Sequence, residues 1–188
     1  MEDARTPGRP LDESLDRAIL DAAWRLLLRD GYAGMSIARV ADEANVGRPA
    51  IYRRFSGKSE LVAAVIADKA TRVPPIDTGS AREDLVAHLD FARRRFAMSL
   101  AGTLLNEERE HPELMRQFRD GMLRPRRDEV ARALARGQER GEVRADLDVE
   151  LAAHAVMGSF VYQHLVVGPP GRDWPEQVVD NLWPGFAA

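Results

Sequence analysis

Apolar residues recur along this chain at the three-to-four-residue spacing of amphipathic helices, and period-two alternation is scarce, so an all-α fold is expected. Leu15, Ile19, Ala22, Ala23, Leu26 and Leu27 form one stripe of a first helix that starts near Ser14. Asp12, Glu13 and Asp16 suit its positive end, and Gly31 is expected to close it. Ser36 reads as the N-cap of a short second helix carrying Ile37, Val40, Ala41 and Ala44. Asn45 tolerates the left-handed backbone that a tight turn needs. A third short helix is predicted from Arg48 to Arg54, with Pro49 in its first turn and Ile51 and Phe55 facing inward. A fourth begins near Lys58 and buries Leu61, Val62, Val65 and Ile66.

Helical periodicity breaks from Val73 to Gly79, the expected boundary between a domain at 14–72 and a larger one at 73–188, with residues 1–13 as an N-terminal arm. Ser80 and Glu83 have the spacing of a capping box, and the helix they open carries Leu85, Leu89, Ala92 and Phe96. After a segment around Leu100 to Glu110, Pro112 starts a long helix that Pro125 is expected to kink or divide, and Gly141 closes that stretch. Asp148 caps a helix running to about Val167. Pro175 opens a last helix, which Pro184 is expected to stop.

Composition narrows the function. Apolar residues are 45% and charged residues 30%, as suits a globular protein with a core. There is no cysteine, which excludes disulfides, thiolate nucleophiles and cysteine-based zinc sites, and makes a reducing cytoplasm the natural setting. No secretory signal is expected, because the N-terminal stretch lacks an apolar core. No run of about eighteen apolar residues predicts a membrane span. The net charge is −3. Residues 1–72 hold 12 Lys/Arg against 11 Asp/Glu, and the remainder 15 against 19. Between residues 47 and 58, however, Arg48, Arg53, Arg54 and Lys58 occur with no acid among them.

That basic patch falls on residues 36–55, two short helices joined by a tight turn. In a helix-turn-helix the second helix enters the major groove N-terminus first. Exposed side chains there reach base edges, and nearby cations and hydroxyls meet phosphates. Lys58 opposes the dipole of the helix it starts, and a phosphate at that position would turn this small loss into a gain. Gly57-Lys58-Ser59 is not a phosphate-binding loop, since that motif needs a glycine where Tyr52 stands and a preceding strand. His88, His111, His154 and His164 form no HExxH pair, and no nucleophile elbow is present, so neither a metal site, a cofactor nor an enzyme is expected. Arg5 and Arg9 lie beside prolines in the arm; a minor-groove contact and an unstructured terminus both remain open for them.

Residues 17–69 resemble the DNA-binding region of TetR-type regulators. The likeness lies in the order and spacing of Ile19, Ala22, Ala23, Leu27, Gly31, Tyr32, Ser36, Ile37, Val40, Ala41, Ala44, Val46, Ile51, Tyr52, Phe55, Lys58 and Leu61. Gly137 to Val167 is similar, less specifically, to the C-terminal part of one subgroup. The resemblance implies a three-helix DNA-binding head and a helical body that dimerises and holds a small-molecule pocket. It further implies a repressor of a palindromic operator in double-stranded DNA that an effector releases. By position, it implies phosphate contacts at Tyr52 and Lys58, a backbone contact at Ser36, and base reading by Arg48, Pro49 and Ala50. Arg53 and Arg54 add cations around them. Asn45 and Gly47 depart from the glycine and the serine or threonine frequent at those positions, and Arg54 replaces a frequent aromatic or histidine. Arg48 reads either as a guanine contact or as a phosphate contact. An activator, or a regulator acting through a protein partner without a ligand, is the alternative.

In the body, the helix near 149–167 is apolar on most of its circumference, so one side is expected to meet a second copy of the chain. Leu151, Ala155, Met157, Val161, Tyr162 and Leu165, with Val178, Leu182 and Trp183 of the last helix, are the candidate homodimer residues. A pocket for a small apolar or amphipathic effector would draw on Phe91, Phe96, Leu104, Met115, Phe118 and Met122, with His88 and His154 as polar handles. For each of these residues a place in the plain core is the commoner reading.

Overall fold

The computed structural model describes residues 13–70, 73–96 and 98–188; Arg5 and Arg9 lie outside these. Ten α-helices and one π-helical turn are present among the described residues, with no strand beyond an isolated bridge between Val143 and Ala187. The chain divides into two compact units at Asp68 and Lys69, a few residues before the break in periodicity at Val73.

The first unit comprises α1 (Glu13–Gly34), α2 (Ile37–Ala44), α3 (Arg48–Tyr52) and most of α4 (Lys58–Lys69). Its core is the apolar stripe read from the sequence: Ile19, Ala22, Leu27, Val40, Ile51, Leu61 and Val65 are fully buried. Truncating a side chain such as Ile51 to alanine removes about 2–5 kcal/mol. Gly31 ends the long run of α1, as expected. It breaks the helix at φ 69° and ψ 179°, and a further turn continues to Gly34. Only glycine takes that conformation readily. The turn buries Tyr32, which rewards the continuation.

The second unit holds α5 (Ala81–Arg95), α6 (Met98–Glu107), α7 (Pro112–Phe118), a π-helical turn (Arg119–Leu123), α8 (Arg124–Glu139), α9 (Val149–Val166) and α10 (Trp174–Phe186). Leu85, Leu89, Val130, Leu134, Val156, Phe160 and Val179 pack α5, α8, α9 and α10 around one core. Gly137 permits this closeness, since a Cβ there would stand 2.6 Å from the Ala81 Cβ and 2.7 Å from a Val143 methyl. Asp84, fully buried, accepts from the Thr78 backbone N–H at 2.7 Å and hydroxyl at 2.8 Å and from Arg136 at 3.0 Å. The buried carboxylate is therefore both paired and hydrogen-bonded, as burial demands.

Pro125 divides the long helix as expected: the π-helical turn runs up to it and α8 begins around it. Asp148 accepts from the Glu150 and Leu151 N–H groups to cap α9. Two local expectations fail. Ser80 makes no side-chain cap; the N–H of Ala81 donates instead to Glu142 at 2.7 Å, an acceptor brought in by the fold. Nor does Pro184 stop α10, which continues to Phe186. Phe186 is buried, and its carbonyl accepts from the Arg144 N–H at 2.9 Å, so tertiary contacts hold the turn that the proline weakens.

Candidate nucleic-acid interface

Ser36 opens α2 in extended backbone, and its hydroxyl accepts from the Arg39 N–H at 3.3 Å. The helix ends at Asn45, in the left-handed region at φ 53° and ψ 48°, and the Val46 N–H returns to the Ala41 carbonyl at 2.9 Å. This short closure brings α3 directly after α2. α3 starts at Gly47 without a side-chain cap, with Pro49 in its first turn. Buried Ile51 sets its rotation, which leaves Arg48, Pro49, Tyr52 and Arg53 exposed and Ala50 half-buried. Among the described residues, neither Arg48 nor Arg53 is paired with a carboxylate.

Arg54 is placed differently from the expectation that it meets phosphate. Its side chain is only 10% exposed; Nε is bonded to Asp16 of α1 and Nη1 donates to the Ala50 carbonyl at 3.0 Å. It ties the end of α3 to α1 and is a structural cation. Arg54 lies three residues after buried Ile51 and so shares its side of the turn, whereas Arg53, two residues after it, points away.

Lys58, the first residue of α4, is half-buried, with its ammonium 4.0 Å from the centre of the Tyr32 ring. The Tyr32 hydroxyl is 2.7 Å from that of Ser59. The ring therefore fixes the lysine at the helix start. Glu60 reaches back to the backbone N–H and hydroxyl of Ser56, both at 2.6 Å, and these bonds hold its carboxyl below the usual range. Two further arginines of this unit are engaged: Arg25 bonds Glu43 at 2.8 Å, and Arg39 bonds Asp30 at 2.7 Å and the Gly34 carbonyl at 2.6 Å. Hydrogen bonds from Arg25 and Arg29 hold Glu43 and Asp30, respectively, below their ordinary values.

In the second unit a cavity of about 440 Å³ opens between α5, the π-helical turn, α8 and α9. Of the residues expected to line a pocket, Phe96 and His154 do so. His88, Leu104, Met115, Phe118 and Met122 are buried in the core instead, and Phe91 is half-buried away from the wall. The wall uses Arg119 and Leu123, each one position beyond an expected residue, together with Arg126 and Phe160. Apolar periodicity on these helices carries no signal for the arginines of the wall. Burial lowers the His88 pKa, and Nε2 of this residue has no partner.

On α9, Leu151, Ala155, Val161, Tyr162 and Leu165 are exposed along one face, with Tyr162 at 68% and Leu165 at 73%. Met157, Val178, Leu182 and Trp183 are partly buried against the unit's own core. Met157 and Val161 also line the cavity. Glu107, Glu110 and His111 come together at the end of α6, a cluster that histidine spacing did not suggest. Among the described residues no helix is long and apolar enough to cross a membrane.

An all-helical chain whose second short helix presents unpaired arginines and a tyrosine beside a fixed lysine has the build of a helix-turn-helix DNA-binding regulator. Residues 19–65 match the bacterial regulatory proteins of the TetR family, and residues 75–182 match the tetracyclin repressor-like C-terminal domain. The chain belongs to the TetR family of transcriptional regulators, which are DNA-binding proteins rather than enzymes. It is 32% identical to the HTH-type transcriptional regulator YdeS of Bacillus subtilis, over 96% of this chain and 94% of that one. It is 34% identical to the DNA-binding transcriptional repressor TetR of Mycobacteroides abscessus, over 86% and 87%. A transcriptional regulator from Saccharomonospora viridis, solved in complex with choline, shares the fold with a TM-score of 0.74 at 20% identity, over 94% of this chain and 100% of that one.

Proposed function

We propose that this regulator is a dimeric repressor that binds a palindromic operator and is released by a small molecule held in the cavity of its second unit. The observation that carries the DNA contact is the exposed, unpaired set Arg48, Tyr52 and Arg53 on α3, with Lys58 fixed beside it. Arg48, Pro49 and Ala50 lead into the groove as base readers. Tyr52, Arg53, Lys58 and Ser36 meet phosphates, and Arg54 serves by holding α3 in place. Repression is favoured by the likeness to the M. abscessus repressor.

The exposed apolar face of α9 supports pairing of two copies. Burying side chains such as Leu151, Tyr162 and Leu165 contributes about 25 cal/mol per Å² of apolar surface, and Ala155 and Gly158 let a partner helix approach. Two copies related by a twofold axis present two recognition helices to a palindrome. Effector release draws support from the choline-bound neighbour and from the cavity wall, since Val161 of α9 serves both the cavity and the proposed dimer face. A ligand there touches the helix that sets the dimer.

A gel-shift with DNA from upstream of the protein's own gene tests this reading, with size-exclusion chromatography to establish the dimer. A discrete complex at low salt supports it. If the dimer binds no DNA under those conditions, the DNA-binding role is wrong; if it binds and no effector relieves binding, the release step is.

A further inference from the structure

We infer that the effector is an amphipathic anion, an apolar body ending in a carboxylate or phosphate group, which the guanidinium of Arg126 receives. This rests on the cavity being the effector site. Arg126 is 3% exposed, yet its Nε and Nη2 are buried with no hydrogen-bond partner. Its Nη1 donates to the Met122 carbonyl, and the guanidinium carbon lies 5.4 Å from the centre of the Phe96 ring. One edge of the group is thus spent on the backbone and one face on an aromatic ring. What remains is the Nε–Nη2 edge, closed to solvent in the free protein, and a shift of the side chain at the wall would open it to a carboxylate or phosphate, whose two oxygens match its parallel N–H groups.

The other arginines of the wall are already committed. Arg119 bonds Glu108 at 2.6 Å, Arg124 bonds Asp120 at 2.7 Å, and Arg127 bonds Asp128 and, at 3.1 Å, Glu150. No carboxylate lines the cavity among the described residues, whereas Phe96, Leu123, Met157 and Phe160 give it an apolar floor. A desolvated cation without a counter-charge is unfavourable, and burial accordingly lowers the Arg126 pKa. An anion entering with an apolar body satisfies both the floor and the unused edge. A neutral ligand leaves the edge unpaired, and a cationic one meets like charge.

Isothermal titration of the full chain with decanoate, decyl phosphate, decanamide and decyltrimethylammonium, each below its micelle concentration, tests this. At least one anion should bind about tenfold or more tightly than the amide, and the ammonium more weakly still. The tighter of the two anions identifies the head group. In Arg126→Met the preference for the anion over the amide should fall to within about threefold, with the thermal midpoint of the free protein unchanged or raised, because a buried unpaired charge is gone. Arg126→Lys keeps the charge without the fork and should retain an intermediate preference, which serves if the methionine variant does not fold. Equal binding of decanoate, decyl phosphate and decanamide overturns the inference. So does an anion preference that survives in Arg126→Met, or the absence of anion binding at millimolar concentration. An anion that binds through Arg126 but leaves the operator complex intact upholds the inference and removes the release reading.

Discussion

The face of α3 presents two arginines without carboxylate partners among the described residues and the wall of the body cavity presents one, Arg126, but under opposite conditions of solvation. Arg48 and Arg53 are exposed, so water stabilises their charge and leaving them unpaired costs little. Arg126 is buried, so its missing partner is a standing cost within the free protein. The first arrangement suits a ligand that is everywhere charged and arrives by long-range attraction, as DNA does. The second suits a small ligand that must match a shaped apolar space and a single charged edge. Arg54 combines features of both: it is nearly as buried as Arg126, but Asp16 neutralises it.

Among substitutions of charged residues, Asp16→Ala should have the largest effect on stability, because it turns Arg54 into a second unpaired, nearly buried cation. We expect a loss of about 2–3 kcal/mol, below the 3–5 of a fully buried pair because Asp16 is partly exposed. Urea titration of the first unit's transition measures it, and an unchanged midpoint would erase the distinction drawn between Arg54 and Arg53. Arg48→Ala should leave that midpoint within about 0.5 kcal/mol. In operator binding it should relax discrimination at one base pair per half-site by about 1–3 kcal/mol. Uniform weakening across operator variants, measured by competition gel-shift, would instead make Arg48 a backbone contact.

Lys58→Ala should weaken binding to all sequences by a similar factor and flatten the salt dependence by about 0.9 in log–log slope for each phosphate lost. Loss of its contact with Tyr32 should also cost about 0.5–1 kcal/mol of stability. A steeper slope would contradict a phosphate role. The smallest expected effect concerns His88, whose folded pKa lies below its unfolded value chiefly through burial, with Glu129 and Asp84 opposing and Arg136 and Arg132 assisting. The unfolded chain therefore binds the extra proton first. Stability from this group is present above the unfolded value of about 6.5 and is lost as pH falls below it. Urea midpoints at pH 5.5 and 7.5 should differ less in His88→Met than in the native protein, and an equal difference would exonerate His88.

The positions where one residue's own backbone preference or short-range capping decides the outcome were legible in the sequence. Ser36, Asn45, Asp148 and Pro125 start, turn, cap and divide helices as their side chains require. The apolar periodicity that builds the first unit's core belongs with them, and so does the order of residues that marks the DNA-binding region. Tertiary structure decided which of two adjacent arginines, Arg53 or Arg54, turns inward, because Ile51 and Asp16 together set the rotation of α3. It also replaced the Ser80 cap by distant Glu142, carried α10 past Pro184, and put Arg119, Leu123 and Arg126 on a wall expected from their neighbours. Each of these outcomes depends on atoms far away in the chain. A helix repeats every 3.6 residues, so a change in its rotation of one position exchanges wall for core, and local pattern alone leaves that rotation open.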